Sequence, residues 1–435
     1  MLYNFFNIRV RKNFVEPMKE VSVLDKKSNS DRIFLIAVGV ILTVITVFIR
    51  FLVRDILSVD MNIFLLPWYN EYLEAGGFKA IGRTVGDYNY LYYLFMICMT
   101  YLPVKAMYAI KALSGLFDYL LAFAVMYLVG ILTEKDPRRE RFMLASYIAV
   151  IFSPLVLENS AVWGQCDSMT AFWVVLALIL IIKERYPGSC TALGMALAMK
   201  LQMVFIMPLV LYIFIAKFRE KKFRFVYFFA IPLVFWLTSV PHIIGGGGIL
   251  DCFIIYLVQG TGESARLYEN SGCFWALFVP DSAKAADEGI VFPTIPFVLV
   301  CFAILAAFFI FCYVKKVELS PKNIVCMAFL CIFICVFFLP HMRDRYGYVY
   351  EILAIALCFV EFKTLPLLVM IYVSTLARYN HYLFRLGFLP VWASALLNLA
   401  ALVLYFVLLS KELFPKSSGR SDVSVEDHVS NDPVV

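Results

Sequence analysis

Four short stretches carry residues able to do chemistry. Asp60 stands a few residues past the first long apolar run, where a carboxylate can serve as general base on a hydroxyl once neighbours tune it. The plainer reading is a hydrated acid at a helix end. In AVWGQCDSMT (161–170), Trp163, Gln165 and Asp167 fall within five residues between two almost wholly apolar runs. The indole can stack on a sugar, while Gln165 and Asp167 can bind hydroxyls or receive a basic partner; Asp167 or Ser168 can equally cap the following helix. Lys200 lies inside the apolar run Cys190–Phe218, with Gln202 two residues on. A lysine placed there must be solvated or paired, which makes it a functional candidate: it can neutralise a phosphate, or it can snorkel to an interface. PHMRDRY (340–346) gathers His341, Arg343, Arg345 and Tyr346 in one turn, and arginine forks suit phosphate and carboxylate. His242 and RYNHYLFR (378–385) add cations expected on the same side.

The elements that position these residues are membrane spans. Of 435 residues, 62% are hydrophobic and 16% charged, against about 45–50% and about 25% in soluble domains. Long apolar runs recur from Ile33 to Ser410, so the expected fold is all-α, a polytopic transmembrane helical bundle of about 11–13 spans. The net charge of +6 sits in short basic clusters, EKDPRRER (134–141) and KFREKKFR (217–224) among them. These read as orientation signals and not as a nucleic-acid surface. Placing them inside gives spans near 33–53, 106–132, 142–157, 168–183, a composite 190–216, 225–243, 292–314, 323–340, 346–362, 364–378 and 388–410. The first is too long and too late for a cleaved signal peptide. The composite run reads as two short helices meeting at Lys200–Gln202, and Tyr90–Pro103 as an interfacial or re-entrant helix.

All the candidate residues then face outward. The expected division is a tail over 1–32, a transmembrane domain over 33–410 with outward loops at 54–105 and 244–291, and a disordered polar tail over 411–435. The polar stretch of about thirty residues before the first span is expected to be disordered as well. PWYNEYLEAGGF (67–78) predicts a surface helix starting near Pro67 and stopped by Gly76–Gly77, its Trp68 and tyrosines suited to the headgroup layer. Such a helix can hold a lipid-linked substrate near Asp60 or merely anchor the loop. Cys252 and Cys273 pair or stay free. No Walker motif, dinucleotide fingerprint or Cys/His ligand spacing occurs, so neither nucleotide nor structural zinc is expected.

In order along the chain, SVDMNIFLLPWYNEYLEAGGF, YNYLYYLF, IKALSGLFDYLLAF, SPLVLENSAVWGQCDSMTAFW, ALGMALAMKLQMVFIMPLVL and LPHMRDRYGYVYEIL resemble the polytopic GT-C-type glycosyltransferases. Within these, the chain resembles the mannosyltransferases that add the second mannose of GPI anchors, and their bacterial relatives. The resemblance implies inverting transfer of a hexose, mannose first, from a polyprenyl-phosphate donor to a glycan, glycolipid or protein acceptor on the extracytoplasmic face of the bilayer. The membrane would be the plasma membrane in a bacterium or the endoplasmic reticulum in a eukaryote. Asp60 matches the family's first-loop catalytic acid. Lys200, His341, Arg343 and Arg345 sit where the donor phosphate would bind, Gln165 and Asp167 would orient acceptor or sugar, and Trp68, Tyr88, Trp163, Gln202 and Tyr346 complete the substrate-binding set. Two departures stand out. Arg343-Asp344-Arg345-Tyr346 replaces the His-Glu-Arg-Tyr of many relatives, and the first loop has a single Asp60 and not Asp-x-Asp, so no divalent metal or other cofactor is expected. A transporter or flippase of a lipid-linked sugar is the competing class, and a glycan-binding scaffold a third. The transporter predicts broken helices in both halves of the chain, whereas the sequence offers one candidate and collects its polar motifs on one face.

Overall fold

The computed structural model describes residues 18–261, 266–290, 292 and 294–413; of the tails expected over 1–32 and 411–435, residues 1–17 and 414–435 lie outside them, while 411–413 continue the last helix. The chain divides into two compact units, Met1–Leu52 and Val53–Val435. The first contains helix α1 (Met18–Leu52), which begins inside the polar stretch expected to be disordered. Its segment Ser30–Leu52 is long and apolar enough to cross a membrane.

In the second unit the helices are α2 (Leu66–Glu74), α3 (Tyr90–Met99), α4 (Ala106–Leu132), α5 (Arg139–Ile151), α6 (Pro154–Leu157), α7 (Asp167–Ile182), α8 (Tyr186–Met199), α9 (Met207–Lys217), α10 (Ala230–Leu237), α11 (Val240–Ile244) and α12 (Asp251–Thr261). After them come α13 (Ser282–Asp287), α14 (Thr294–Val314), α15 (Pro321–Phe338), α16 (Tyr348–Val360), α17 (Leu365–Phe384) and α18 (Val391–Leu413). Two-residue strands, β1 (Tyr268–Glu269) and β2 (Met342–Arg343), pair in parallel. The protein is an all-α polytopic helical bundle.

Among the described residues six helices are long and apolar enough to span a bilayer, or seven if the bent pair Arg139–Ile151 and Pro154–Trp163 counts as one span. The spans expected at 168–183, 225–243 and 346–362 are shorter apolar helices, Asp167–Ile182, Phe225–Leu237 and Tyr348–Val360. Short helices suffice where polar loops enter the bundle and protein, not lipid, satisfies the backbone. The 44° bend before Trp163 falls at Phe152–Ser153, where Pro154 has no N–H to continue the ladder. The break at Lys200 is present: α8 ends at Met199, Lys200 is extended, and a 3₁₀ turn begins at Leu201.

α15 is apolar on every side, and Ile324 to Phe337 are buried without interruption, as expected of a helix enclosed by others. α14 shows the opposite pattern: Ile295, Leu299 and Ile310 are exposed, the surface that suits lipid. A second cluster gathers α2, α3 and the start of α4. Here α2 starts with Pro67 in its first turn and is followed by Gly76 in the left-handed region (φ 87°), the cap the sequence called for. Tyr90, Tyr92 and Tyr93 of α3 are buried in this cluster, so they face protein and not a headgroup layer. The turn expected over 378–387 is helical as far as Phe384.

Candidate active site

The segment before α2 is fixed from two sides. Lys111 of α4 donates from Nζ to the carbonyls of Arg54 and Ile56, at 3.1 and 2.6 Å. Ser58 Oγ accepts from the Met61 backbone (3.1 Å) and donates to the Trp163 carbonyl (2.8 Å), which joins Asp60 to the WGQCD stretch. The chain can turn at Trp163 because Gly164 adopts φ 81°, and a Cβ there would lie 2.4 Å from the Met61 methyl.

Asp60, 6% exposed, then meets four donors. Its Oδ2 accepts from Trp163 Nε1 (3.0 Å), Gln165 Nε2 (2.7 Å) and Arg345 Nη1 (3.0 Å). Its Oδ1 accepts from the Tyr382 hydroxyl. A carboxylate offers about four lone-pair positions, so Oδ1, with one donor among the described residues, keeps room for a further hydroxyl.

Trp163 is fully buried. Tyr382 stacks on it (4.8 Å, 24°), Tyr379 meets it edge-on (5.2 Å), and the Arg345 guanidinium lies 5.1 Å from its ring centre. The face that the sequence offered to a sugar is occupied by protein, and the indole's observed work is to hold Asp60.

Asp167 does not cap α7; no side-chain cap is made there. It receives a basic partner instead: Lys200 Nζ stands 2.5 Å from Oδ1, while Asn159 donates to Oδ2 at 2.9 Å, and both ions are buried. Tyr88 links the two acids, since its hydroxyl donates to Gln165 Oε1 (3.0 Å) and its ring lies 5.7 Å from Lys200 Nζ. Trp68 packs edge-on against Tyr88 at 5.4 Å.

Three expected residues are engaged elsewhere or packed aside. His341 Nδ1 meets the Arg266 carbonyl and Nε2 the Thr294 hydroxyl, both at 2.8 Å, and Arg343 pairs with Glu269 at 3.0 Å beside the β1–β2 contact. Tyr346 packs against the main core. Gln202 is half-buried, and its Oε1 has no hydrogen-bond partner among the described residues. His242 stacks on Tyr90 (3.6 Å) and bonds Asp251 (2.9 Å), which holds that carboxyl below its ordinary value. Beside Arg345, burial pushes the Asp344 carboxyl up to about 7, against the pull of Arg345 and of Asn270, which donates to it at 2.7 Å. Cys252 and Cys273 are free buried thiols. Among the described residues no cluster of three or more His, Cys, Asp or Glu is placed to hold a metal ion.

Sequence reasoning missed Tyr382, Asn159 and Tyr379 as parts of this network. RYNHYLFR drew attention for its charges, while the aromatic and amide residues that reach the acids have no charge to mark them.

The six helices that carry the site, α4, α7, α8, α15, α16 and α17, bring it one end each. Their other ends lead into the loops 133–138, 183–185, 315–320 and 361–364, which hold seven Lys and Arg against five Asp and Glu. Residues 88–340, more than half of the chain, match the family model described as glycosyltransferase family 87. No curated protein matches the chain.

Proposed function

The chain belongs to glycosyltransferase family 87 and is a membrane glycosyltransferase, and from that premise we propose that it moves a hexose, mannose first, from a polyprenyl-phosphate donor to an extracytoplasmic acceptor with inversion. The observation that carries this reading is the Asp60 carboxylate, buried, anchored through Oδ2 by three donors and held at Oδ1 by the Tyr382 hydroxyl, which leaves that oxygen a further lone pair. Asp60 takes the proton of the acceptor hydroxyl. The freed oxygen attacks the anomeric carbon, the bond from that carbon to the phosphate oxygen breaks, and the phosphate leaves with the electron pair. Catalytic groups of this kind contribute through position as much as basicity.

Arg345 is suited to the leaving phosphate. One terminal nitrogen holds Asp60, and its buried Nε has no hydrogen-bond partner among the described residues. Lys200 stands close by through Tyr88 but is spent on Asp167, so its part in binding phosphate requires that pair to loosen. His341 and Arg343 join the phosphate site only if the 266–269 segment moves, because both are tied to it. The extracytoplasmic placement is supported by the basic loops at the opposite helix ends.

Asp60, Arg345 and Tyr382 all lie outside residues 88–340, and the fold joins them to Tyr88, Trp163 and Gln165 inside that range. The test is transfer of radiolabelled mannose from polyprenyl-phosphate mannose by wild type and Asp60→Asn. Transfer that collapses in the folded variant supports the base; equal transfer by both removes Asp60 from the role. Transfer only from glucose or arabinose donors keeps the class and replaces the sugar.

A further inference from the structure

Two arms from different parts of the chain hold Asp60: Arg345, in the 340–346 turn, reaches Oδ2, and Tyr382, near the end of α17, reaches Oδ1. A single side chain joins the two arms. Asn270 donates through Nδ2 to Asp344 Oδ2 at 2.7 Å and to the Arg378 carbonyl at 2.8 Å. Asp344 precedes Arg345, and Arg378 lies one helical turn before Tyr382 on the same face of α17. Contacts and chain therefore close a ring that runs from Asp60 through Arg345, Asp344, Asn270, Arg378 and Tyr382 back to Asp60.

The local fold explains why an asparagine stands there. β1 and β2 pair Tyr268 with Met342 and Glu269 with Arg343, and the next residues in that register are Asn270 and Asp344. At Asn270 the backbone leaves the strand with φ 49°, a left-handed conformation in which Asn is several-fold enriched among residues with a Cβ. Its amide nitrogen carries two hydrogens, and they meet two acceptors, a carboxylate and a carbonyl. Its Oδ1 faces Arg378 Nη1 at 3.5 Å. Two residues on, the Gly272 carbonyl accepts from Asn398 of α18 at 2.8 Å, and a Cβ on Gly272 would lie 2.9 Å from Ser394 Cβ and 3.1 Å from Ser374 Oγ. The segment is thus fixed on both sides of Asn270.

We propose that Asn270 is a positioning residue for the transfer reaction: it sets the spacing between the 340–346 turn and α17, and so the angle at which Arg345 and Tyr382 present Asp60. This inference rests on the reading of Asp60 as the base. Reacting groups must be held to within about 0.5 Å of their productive geometry, and the amide of Asn270 is what keeps the two arms from parting.

The test measures kcat and KM of the full-length protein in detergent with polyprenyl-phosphate mannose, glucose and arabinose, beside thermal unfolding of the same preparations. Asn270→Gly keeps the left-handed backbone and removes the amide. Its kcat per folded protein is expected to fall about ten- to a hundredfold with KM little changed. Asn270→Asp combined with Asp344→Asn restores the contact with donor and acceptor exchanged, and is expected to be severalfold faster than Asn270→Gly. A segment that served folding alone would show no such rescue in kcat. Wild-type kcat in Asn270→Gly, a loss accounted for by unfolded protein, or an exchanged pair no faster than Asn270→Gly overturns the proposal and leaves Asp60 as base. Wild-type transfer by Asp60→Asn removes the reading beneath it, and the proposal with it.

Discussion

Tyr382 and Trp163 stack ring on ring, with centroids 4.8 Å apart and planes 24° from parallel, and both donate to the carboxylate of Asp60. The pair joins the end of α17 to the turn before α7, so the angle at which Asp60 is presented depends on helices distant in sequence.

Removing only the Tyr382 hydroxyl tests that presentation. Tyr382→Phe keeps the stack and loses one hydrogen bond to a carboxylate, about 1.5–3 kcal/mol, so transfer is expected to fall about ten- to a hundredfold with a smaller loss of melting temperature than removal of the ring would cause. Tyr382→Ala removes the stack as well and is expected to lower both. Steady-state transfer kinetics beside thermal unfolding in detergent separate the two outcomes; unchanged kinetics in Tyr382→Phe would show that Asp60 is held without it.

The buried pair Asp167–Lys200 makes a second case. Lys200→Met leaves an uncompensated carboxylate and is expected to destabilise by about 3–5 kcal/mol. Combining it with Asp167→Asn should restore most of that loss, because neither ion is then stranded. A double-mutant cycle in stability measures the coupling. Transfer by the restored double variant tells whether the pair is needed for more than folding: if activity stays lost while stability returns, Asp167, Lys200 or both also serve the substrates.

Gly164→Ala probes the turn. Its φ of 81° is strained for any residue with a Cβ, at about 1–2 kcal/mol, and the new methyl meets the flexible end of Met61. The expected outcome is a modest loss of stability with a larger loss of transfer, since Trp163 and Gln165 flank the turn and both hold Asp60. Thermal unfolding and initial rates measured on one preparation check it.

Asp344 gives a pH dependence. Its carboxyl is raised from 3.8 to about 7, so between those values the folded protein keeps a proton that the unfolded chain releases. Its contribution to stability is therefore greatest below pH 3.8, falls as pH rises towards about 7, and is flat above. Asp344→Asn mimics the protonated form, so the stability of this variant relative to wild type should climb across that window and then level off. A difference that does not vary with pH would place the proton elsewhere.

Much of this was legible in the sequence because hydrocarbon is an unforgiving solvent. Apolar runs long enough to span it, and basic loops between them, follow from composition along the chain. The same physics marked Asp60, Trp163, Gln165, Asp167, Lys200 and Arg345, since polar groups at the edge of apolar runs need a reason to be there. Partners were another matter. Lys200 read as a phosphate ligand and is paired with Asp167; His341 and Arg343 read like Arg345 yet bind the 266–269 segment. Trp163 read as a platform for a sugar and is enclosed by Tyr379, Tyr382 and Arg345. What the sequence determined by itself was the class of fold and the residues unable to rest in lipid. Which of them share a carboxylate, and which merely neutralise one another, was decided only by tertiary structure, because hydrogen bonds act over about 3 Å and helix packing alone brings residues from opposite ends of the chain that close.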